Sequence, residues 1–378
     1  MQIENLAASV KARVGAIDGG EATIPEGGYH GEYIREIAER FAESGGDASN
    51  SDAVREFAVA ALRKEQDLDL QAFGVKFDTY YLESSLYTDG RVESVVRVLN
   101  EKEMTYESDG ALWLKTSQFG DDKDRVMRKR DGTYTYFLPD VAYHVTKWER
   151  GFHRAIDVQG ADHHSTVTRV RAGLQALDMG VSPQYPEYVL HQMVTVMKSG
   201  EEVKISKRAG SYVTVRDLIN EVGGDAVRFF FLMRKSDSQL VFDIDVALKQ
   251  SEENPVYYVQ MAHARMCGIF RVGGIDRESF SADGLDLGAL REPEELELIK
   301  ALVDFPQVVA SAAESLEPHR IATYLTETAR LAHLWYHKHH VLGEPDEIMN
   351  ARLALARASQ IVIRNGLRIL GISTPERM

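Results

Sequence analysis

Lys204, Ser206 and Lys207 stand together in the stretch EEVKISKRAGSYVTV, with Arg208 beside them and Arg216 just beyond, in a chain whose formal net charge is −14. A basic cluster inside an acidic protein points to an anion met locally, not to a polyanion spread over the whole surface. Lysines three apart on a short polar loop after a strand suit a triphosphate, because each ammonium can follow a phosphate oxygen as charge moves towards the transition state. A solvated basic turn is the plain alternative.

Two further groups could do chemistry. In VQGADHH, residues 158–164, Gly160 falls at the C-terminal end of a predicted parallel strand, where a glycine lets backbone approach a ligand closely. Asp162 can then accept hydrogen bonds from ribose hydroxyls. The neighbouring His163 and His164 are weak grounds for a metal, and a helix N-cap is the competing role for Asp162. In YTYFLPDVAYH, residues 134–144, Tyr136 is expected to end a strand and Asp140 to lie in the first turn of the next helix, so that both face one pocket. A carboxylate beside an aromatic hydroxyl receives a guanidinium through charge-assisted bonds and stacking. A first-turn acid favoured by the helix dipole is the alternative reading of Asp140.

The elements that position these groups follow from hydrophobic spacing. Ile3, Leu6, Val10 and Val14 recur at helical intervals, as do Tyr33, Ile34, Ile37 and Phe41, and then Val54, Phe57, Ala58, Ala61 and Leu62. The first hundred residues are therefore expected to be helical. DRVMRKRDGTYTYFL reads as a hairpin turning at Asp131-Gly132. Helix and strand then alternate, with PDVAYHVTKWER helical, AIDVQG a strand, DHHSTVTRVRAGLQAL a helix and EYVLHQMVTVM one strand, which argues for βαβ units on a parallel sheet. From about Pro255 the pattern is helical almost to the end. The expected architecture is α/β followed by all-α, with a partial Rossmann-like parallel-sheet part over residues 1–248 and a helical bundle over 249–378.

Composition agrees: 378 residues, 44% hydrophobic and 27% charged, are ordinary for two globular domains. No apolar run approaches the roughly 20 residues of a membrane span, and the N-terminal residues lack a signal-peptide core. A cytoplasmic location without membrane partners is expected. The single cysteine, Cys267, excludes an internal disulfide and any all-cysteine metal site.

The order and spacing of these segments resemble the arginyl-tRNA synthetases, class I aminoacyl-tRNA ligases. KISKR is similar to the class signature written KMSKS, with Ile205 for Met and Arg208 for the final Ser; GADHH resembles the second nucleotide-contacting segment, and YFLPDVAYH the arginine-pocket segment. DGALWLKTSQFGDDKDRVMRKRDG, GGDAVRFFFLMR, NPVYYVQMAHAR and the last PERM are similar to that family as well. The resemblance implies ATP-dependent arginylation of tRNA-Arg through arginyl-adenylate, with Mg2+ accompanying ATP and no resident metal site. It implies catalytic roles for Lys204 and Lys207, ATP contacts for Gly160, Asp162, His163 and Ser206, and arginine contacts for Tyr136 and Asp140. The helical part is then expected to bind the anticodon, with Tyr257, Tyr258, Gln260, His263, Arg265, Arg377 and Met378 as candidates. His333 and His337 in HLWYHKHH lack the company of Glu or Cys for a metal shell, so packing and a basic face are expected there.

One departure stands out. The twelve histidines include no His-x-Gly-His, a motif the class carries; His30-Gly31 is followed by Glu32-Tyr33. The expectation is a chain beginning after that motif, belonging to the ligase by family and inactive by itself. The alternatives are a tRNA-binding module without chemistry and a divergent paralogue.

Overall fold

Asn50 illustrates how local chemistry fixes the elements: its side-chain oxygen accepts hydrogen bonds from the Asp52 and Ala53 amides and so starts a helix of 22 residues. The computed structural model describes residues 2–17, 22–203 and 213–378. Lys204, Ser206 and Lys207 lie outside the described residues.

In chain order the helices α1 (Gln2–Val14), α2 (Glu32–Glu43) and α3 (Ser51–Ala72) come first, as the spacing predicts, followed by α4 (Glu83–Thr88) and α5 (Arg91–Glu101). Strands β1 (Thr105–Ser108), β2 (Ala111–Leu114) and β3 (Arg125–Arg128) precede α6 (Phe137–Glu149). Then come β4 (Ile156–Gly160), α7 (His164–Ala176), β5 (Glu187–His191), β6 (Val194–Lys198) and β7 (Glu201–Glu202). The helices α8 (Val215–Val222) and α9 (Gly224–Leu232), strand β8 (Leu240–Asp243) and helix α10 (Ile244–Ala247) lead to the long helices α11 (Pro255–Val272), α12 (Pro293–Ser315), α13 (His319–Lys338) and α14 (Asp346–Ile369).

The described chain forms two compact units, one of Phe77–Met193 with Ser236–Gln239, the other of Met1–Lys76, Val194–Lys235 and Leu240–Met378. In the first, β4 and β5 pair in parallel from Ile156↔Glu187 to Gly160↔His191, with α7 as the crossover, which is the βαβ unit expected from the alternation. The core of this unit gathers Leu114, Met127, Leu138, Val141 and Leu174. An antiparallel sheet ordered β1-β2-β3 completes it.

In the second unit β6 pairs in parallel with β8 and antiparallel with β7. Its larger core joins Phe229, Phe242, Phe270 and Trp335 with the inner faces of α11, α13 and α14. A separate cluster around Val10, Ile34, Ile37 and Val54 holds α1, α2 and α3 together. Asn254 starts α11 by accepting from the Tyr257 amide, and Pro255 occupies the first turn where no amide partner is needed.

Two expectations are corrected. EYVLHQMVTVM is not one strand but two, in different sheets: the Gln192 amide leaves the ladder and donates to Ser236 O at 2.9 Å. The hairpin at Asp131-Gly132 forms, with Gly132 at a φ of 84°, but its second arm is a single bridge, Arg128↔Tyr134. Tyr136 therefore does not end a strand; it is the residue that enters α6, in helical conformation.

Candidate functional site

In the βαβ unit the chemistry collects along α6 and the adjoining strands β4 and β5, where Asp157 and Tyr188 are paired neighbours and Gly160 ends β4. Asp140 lies in the first turn of α6, half-buried, and its carboxylate makes no hydrogen bond or ion pair with any described residue. Burial pushes its carboxyl above the ordinary range, opposed by His144 and assisted by the negative fields of Glu83 and Asp157. A partly desolvated carboxylate without a cation is suited to receive one.

One turn further along α6, His144 is buried and its Nε2 lies 3.0 Å from Asp157 Oδ2. Lys147 Nζ reaches the other oxygen, Oδ1, at 2.7 Å. Burial raises the Asp157 carboxyl, but the bonds from His144 and Lys147 outweigh it and hold the group below the usual range. Tyr188, on β5, borders the same acids; burial first, then the fields of Asp157 and Asp140, push its phenol up. Neither His144 nor Asp157 was singled out from sequence, although two signals were available. His144 follows Asp140 at helical spacing, and Asp157 is an acid within a short strand.

Tyr136 is 89% exposed, so its ring is free of the packing that surrounds Asp140. Gly160 has an ordinary φ of −70°, and its value lies in space: a Cβ there would come 2.5 Å from Asp162 Oδ1. Asp162 caps no helix and His163 makes no capping bond either; both side chains project to solvent, with His163 Nε2 3.9 Å from Asp162 Oδ2. Among the described residues no three of His, Cys, Asp and Glu converge as a metal site.

The helical unit contains a second candidate, an open cavity of about 460 Å³ lined by Arg265, Arg271, Tyr336, His339, Arg377 and Met378, with His340 and apolar residues of α11. Its described lining includes no Asp or Glu. Three guanidinium groups and two imidazoles beside an exposed tyrosine suit a nucleotide, with cations for phosphate and a ring for stacking. Arg265 lies over the Tyr336 ring at 5.6 Å. Its Nη1 also donates to His333 Nδ1 at 2.7 Å, so His333 carries its proton on Nε2 and donates it to Tyr258 O at 3.1 Å.

The other candidates on α11 turn elsewhere. Gln260 is 7% exposed and its amide donates to Asp225 Oδ2 at 2.8 Å. Tyr258 packs against the His333 ring at 4.4 Å. His263 is buried, with Nδ1 donating to Pro375 O at 2.9 Å and Nε2 accepting from the Gln360 amide at 2.8 Å. Tyr257 is partly buried and does not line the cavity. The cavity thus unites Arg265, Arg377 and Met378 from sequence with Arg271 on the same helix α11 and with Tyr336, His339 and His340 from α13 and the segment after it, which spacing along one element could not bring together.

Comparison with known proteins gives the following likenesses. Residues 34–264 match the family of class I tRNA synthetase catalytic domains of the arginine type, and residues 259–378 match the DALR anticodon binding domain. The arginine–tRNA ligase of Geobacter metallireducens is 59% identical over 392 aligned residues, covering all of this chain and 69% of its own. A Campylobacter jejuni structure assigned as an arginyl-tRNA synthetase superposes with a TM-score of 0.90 at 31% identity, covering all of this chain and 82% of that one. The Thermus thermophilus arginyl-tRNA synthetase shares the fold, with a TM-score of 0.72 at 21% identity over all of this chain and 79% of that one.

Proposed function

The chain belongs to the arginyl-tRNA synthetases, and from that premise we propose that it serves as an arginine–tRNA ligase, joining arginine to tRNA-Arg at the expense of ATP. The arginine carboxylate displaces pyrophosphate from the ATP α-phosphorus, giving arginyl-adenylate. A hydroxyl of the terminal tRNA ribose then takes the arginyl group and AMP leaves. Positioning and charge stabilisation dominate such a reaction.

The observation that carries this reading is Asp140, a half-buried carboxylate raised by burial and left without a cation. A substrate guanidinium supplies the missing charge, with Tyr136 alongside. Gly160, Asp162 and His163 are assigned to the adenosine of ATP, Ser206 to its phosphates, and Lys204 and Lys207 to the charge on the departing pyrophosphate. Mg2+ enters with the triphosphate as part of that substrate. The functional division is residues 1–248 for chemistry and 249–378 for RNA, where Arg265 on α11 and Arg377 and Met378 at the end of the chain face the anticodon, while Tyr258 fastens α11 to His333 and Gln260 fastens it to Asp225 and Ser373. Tyr257, partly buried on the same helix, is retained as a tRNA contact. We place the protein in the cytoplasm, in translation; no described helix is long and apolar enough to cross a membrane.

With no His-x-Gly-His among its twelve histidines, this chain by itself is expected to give no arginine-dependent ATP–pyrophosphate exchange. A chimera that supplies the family's His-x-Gly-His segment is expected to exchange with arginine and not with lysine, and Lys207→Ala in it lowers kcat more than it raises KM for ATP. Strong exchange by the chain alone would overturn the need for that segment. A folded chimera indifferent to arginine would overturn the ligase reading.

A further inference from the structure

The segment Asp225-Ala226-Val227-Arg228 opens α9, and its two charged residues grip the same turn at the far end of the sequence. Asp225 Oδ1 accepts from the Ser373 amide at 3.0 Å, and its Oδ2 accepts from the Ser373 hydroxyl. Arg228 Nε donates to Leu370 O at 2.5 Å, while its Nη1 donates to Phe73 O at 2.8 Å. Gly371 lies between the two grips at a φ of 69°, and a Cβ there would come 2.5 Å from Arg228 Nε. The clasp therefore needs a glycine for both backbone conformation and space.

Beyond this turn the chain continues as a strap without helix or strand. Ile372 is its last buried residue; none of the six that follow is buried. Polar contacts to its backbone hold it instead. Gln260 donates to Ser373 O at 3.1 Å, His263 to Pro375 O at 2.9 Å and Arg271 to Glu376 O at 3.1 Å. Arg277 pairs with Glu376 Oε1 at 2.6 Å. A segment held by hydrogen bonds and burying little apolar surface adds little to a core. What it delivers is its end: Arg377 and Met378, which line the cationic cavity.

We propose that Asp225 and Arg228 are positioning residues for RNA binding, which act by clasping the turn Leu370–Ser373 and so fixing Arg377 and Met378 as a wall of the cavity. This rests on the reading that the cavity meets tRNA. It also gives the two ends of one short motif a common task. Neither residue needs to touch the nucleic acid.

The test is a double-mutant cycle read by tRNA-Arg titration of the whole chain. Asp225→Ala is expected to weaken binding about tenfold, as loss of a charge-assisted hydrogen-bonded pair does, and Arg377→Ala/Met378→Ala to weaken it similarly. Combined, they are expected to weaken it by about the same tenfold, because the first acts only through the second. Losses that multiply to about a hundredfold would overturn the proposal, as would unchanged affinity in a folded Asp225 variant. If Asp225→Ala shows no cooperative melt, Asp225→Asn, which preserves shape while removing the charge, takes its place in the cycle with the same two outcomes. Failure of the underlying reading looks different: the wild-type chain would then bind tRNA-Arg no better than an unrelated tRNA.

Discussion

His144 Nε2 and Asp157 Oδ2 lie 3.0 Å apart, tying α6 to β4 one helical turn beyond the half-buried carboxylate of Asp140. The tie is completed by Lys147 on the other oxygen of Asp157. Two acids in one neighbourhood are thus set apart by their surroundings: Asp157 is satisfied and held ionised, Asp140 is unpartnered and raised. The first fastens helix to strand, and the second is the acid proposed to meet a ligand's charge.

Asp157→Asn is expected to lower the stability of the chain by about 1–3 kcal/mol, since Lys147 and His144 lose a charged acceptor. The pH dependence has a definite sign. A carboxyl held below its ordinary 3.8 contributes stability above that pH and loses it as pH falls through the folded value. Denaturant melts of wild type and variant should therefore converge in acid. Identical midpoints at neutral pH would remove Asp157 from the framework of the site.

In the chimera with a His-x-Gly-His segment, Asp140→Asn is expected to raise KM for arginine at least tenfold, as loss of one charge-assisted pair implies, with little change for ATP. A carboxyl raised above 3.8 by burial is protonated more readily than usual. Arginine affinity should then decline as pH is lowered, with a midpoint above 3.8, and the decline should vanish in the variant. Equal losses for both substrates would detach Asp140 from the guanidinium.

Much of this arrangement was legible in residue spacing, and what was missed has physical causes. The helices of the first hundred residues, the βαβ crossover and the long C-terminal helices all carry periodicity that burial enforces. The division of EYVLHQMVTVM did not, because β5 and β6 are both apolar runs and the break depends on a distant backbone partner at Ser236. The partnership of His144 with Asp157 was hidden for the same reason. Gln260 reads as a polar surface residue in sequence, whereas Asp225 and Ser373, 35 and 113 positions away, make it an interior one. Contacts over such separations leave no local pattern.

His263 and His333 are both buried, and burial holds each below the ordinary histidine value. Their bonding leaves each neutral, with one ring nitrogen donating and one accepting. A base depressed in the folded state contributes stability above its unfolded value and loses it as pH falls below about 6.5. The melting temperature should drop between pH 7.5 and 5.5, and His263→Gln should lessen that drop. A flat profile would mean that neither ring is constrained as described.

Glu295, fully buried, pairs with Arg352 at 2.8 Å, and Arg352 Nη1 donates to His340 O at 2.7 Å on the cavity's edge. Breaking such a pair from one side, as in Arg352→Leu, is expected to cost about 3–5 kcal/mol. Glu295→Met/Arg352→Leu should regain most of the stability, since two apolar side chains can replace a buried pair, but should leave tRNA binding weak because His340 loses its anchor. Melts and tRNA titrations on the same preparations check both halves. Recovery of both properties together would show that the pair serves the fold alone.

The most direct measurement is titration of this chain with tRNA-Arg and with an unrelated tRNA at two salt concentrations. A cationic cavity that meets the anticodon loop predicts preference for tRNA-Arg at both concentrations, with affinity for each RNA falling as salt rises because phosphate contacts release counterions. Equal binding of the two RNAs at both concentrations would contradict the account, since the helical unit would then be holding charge without reading the anticodon.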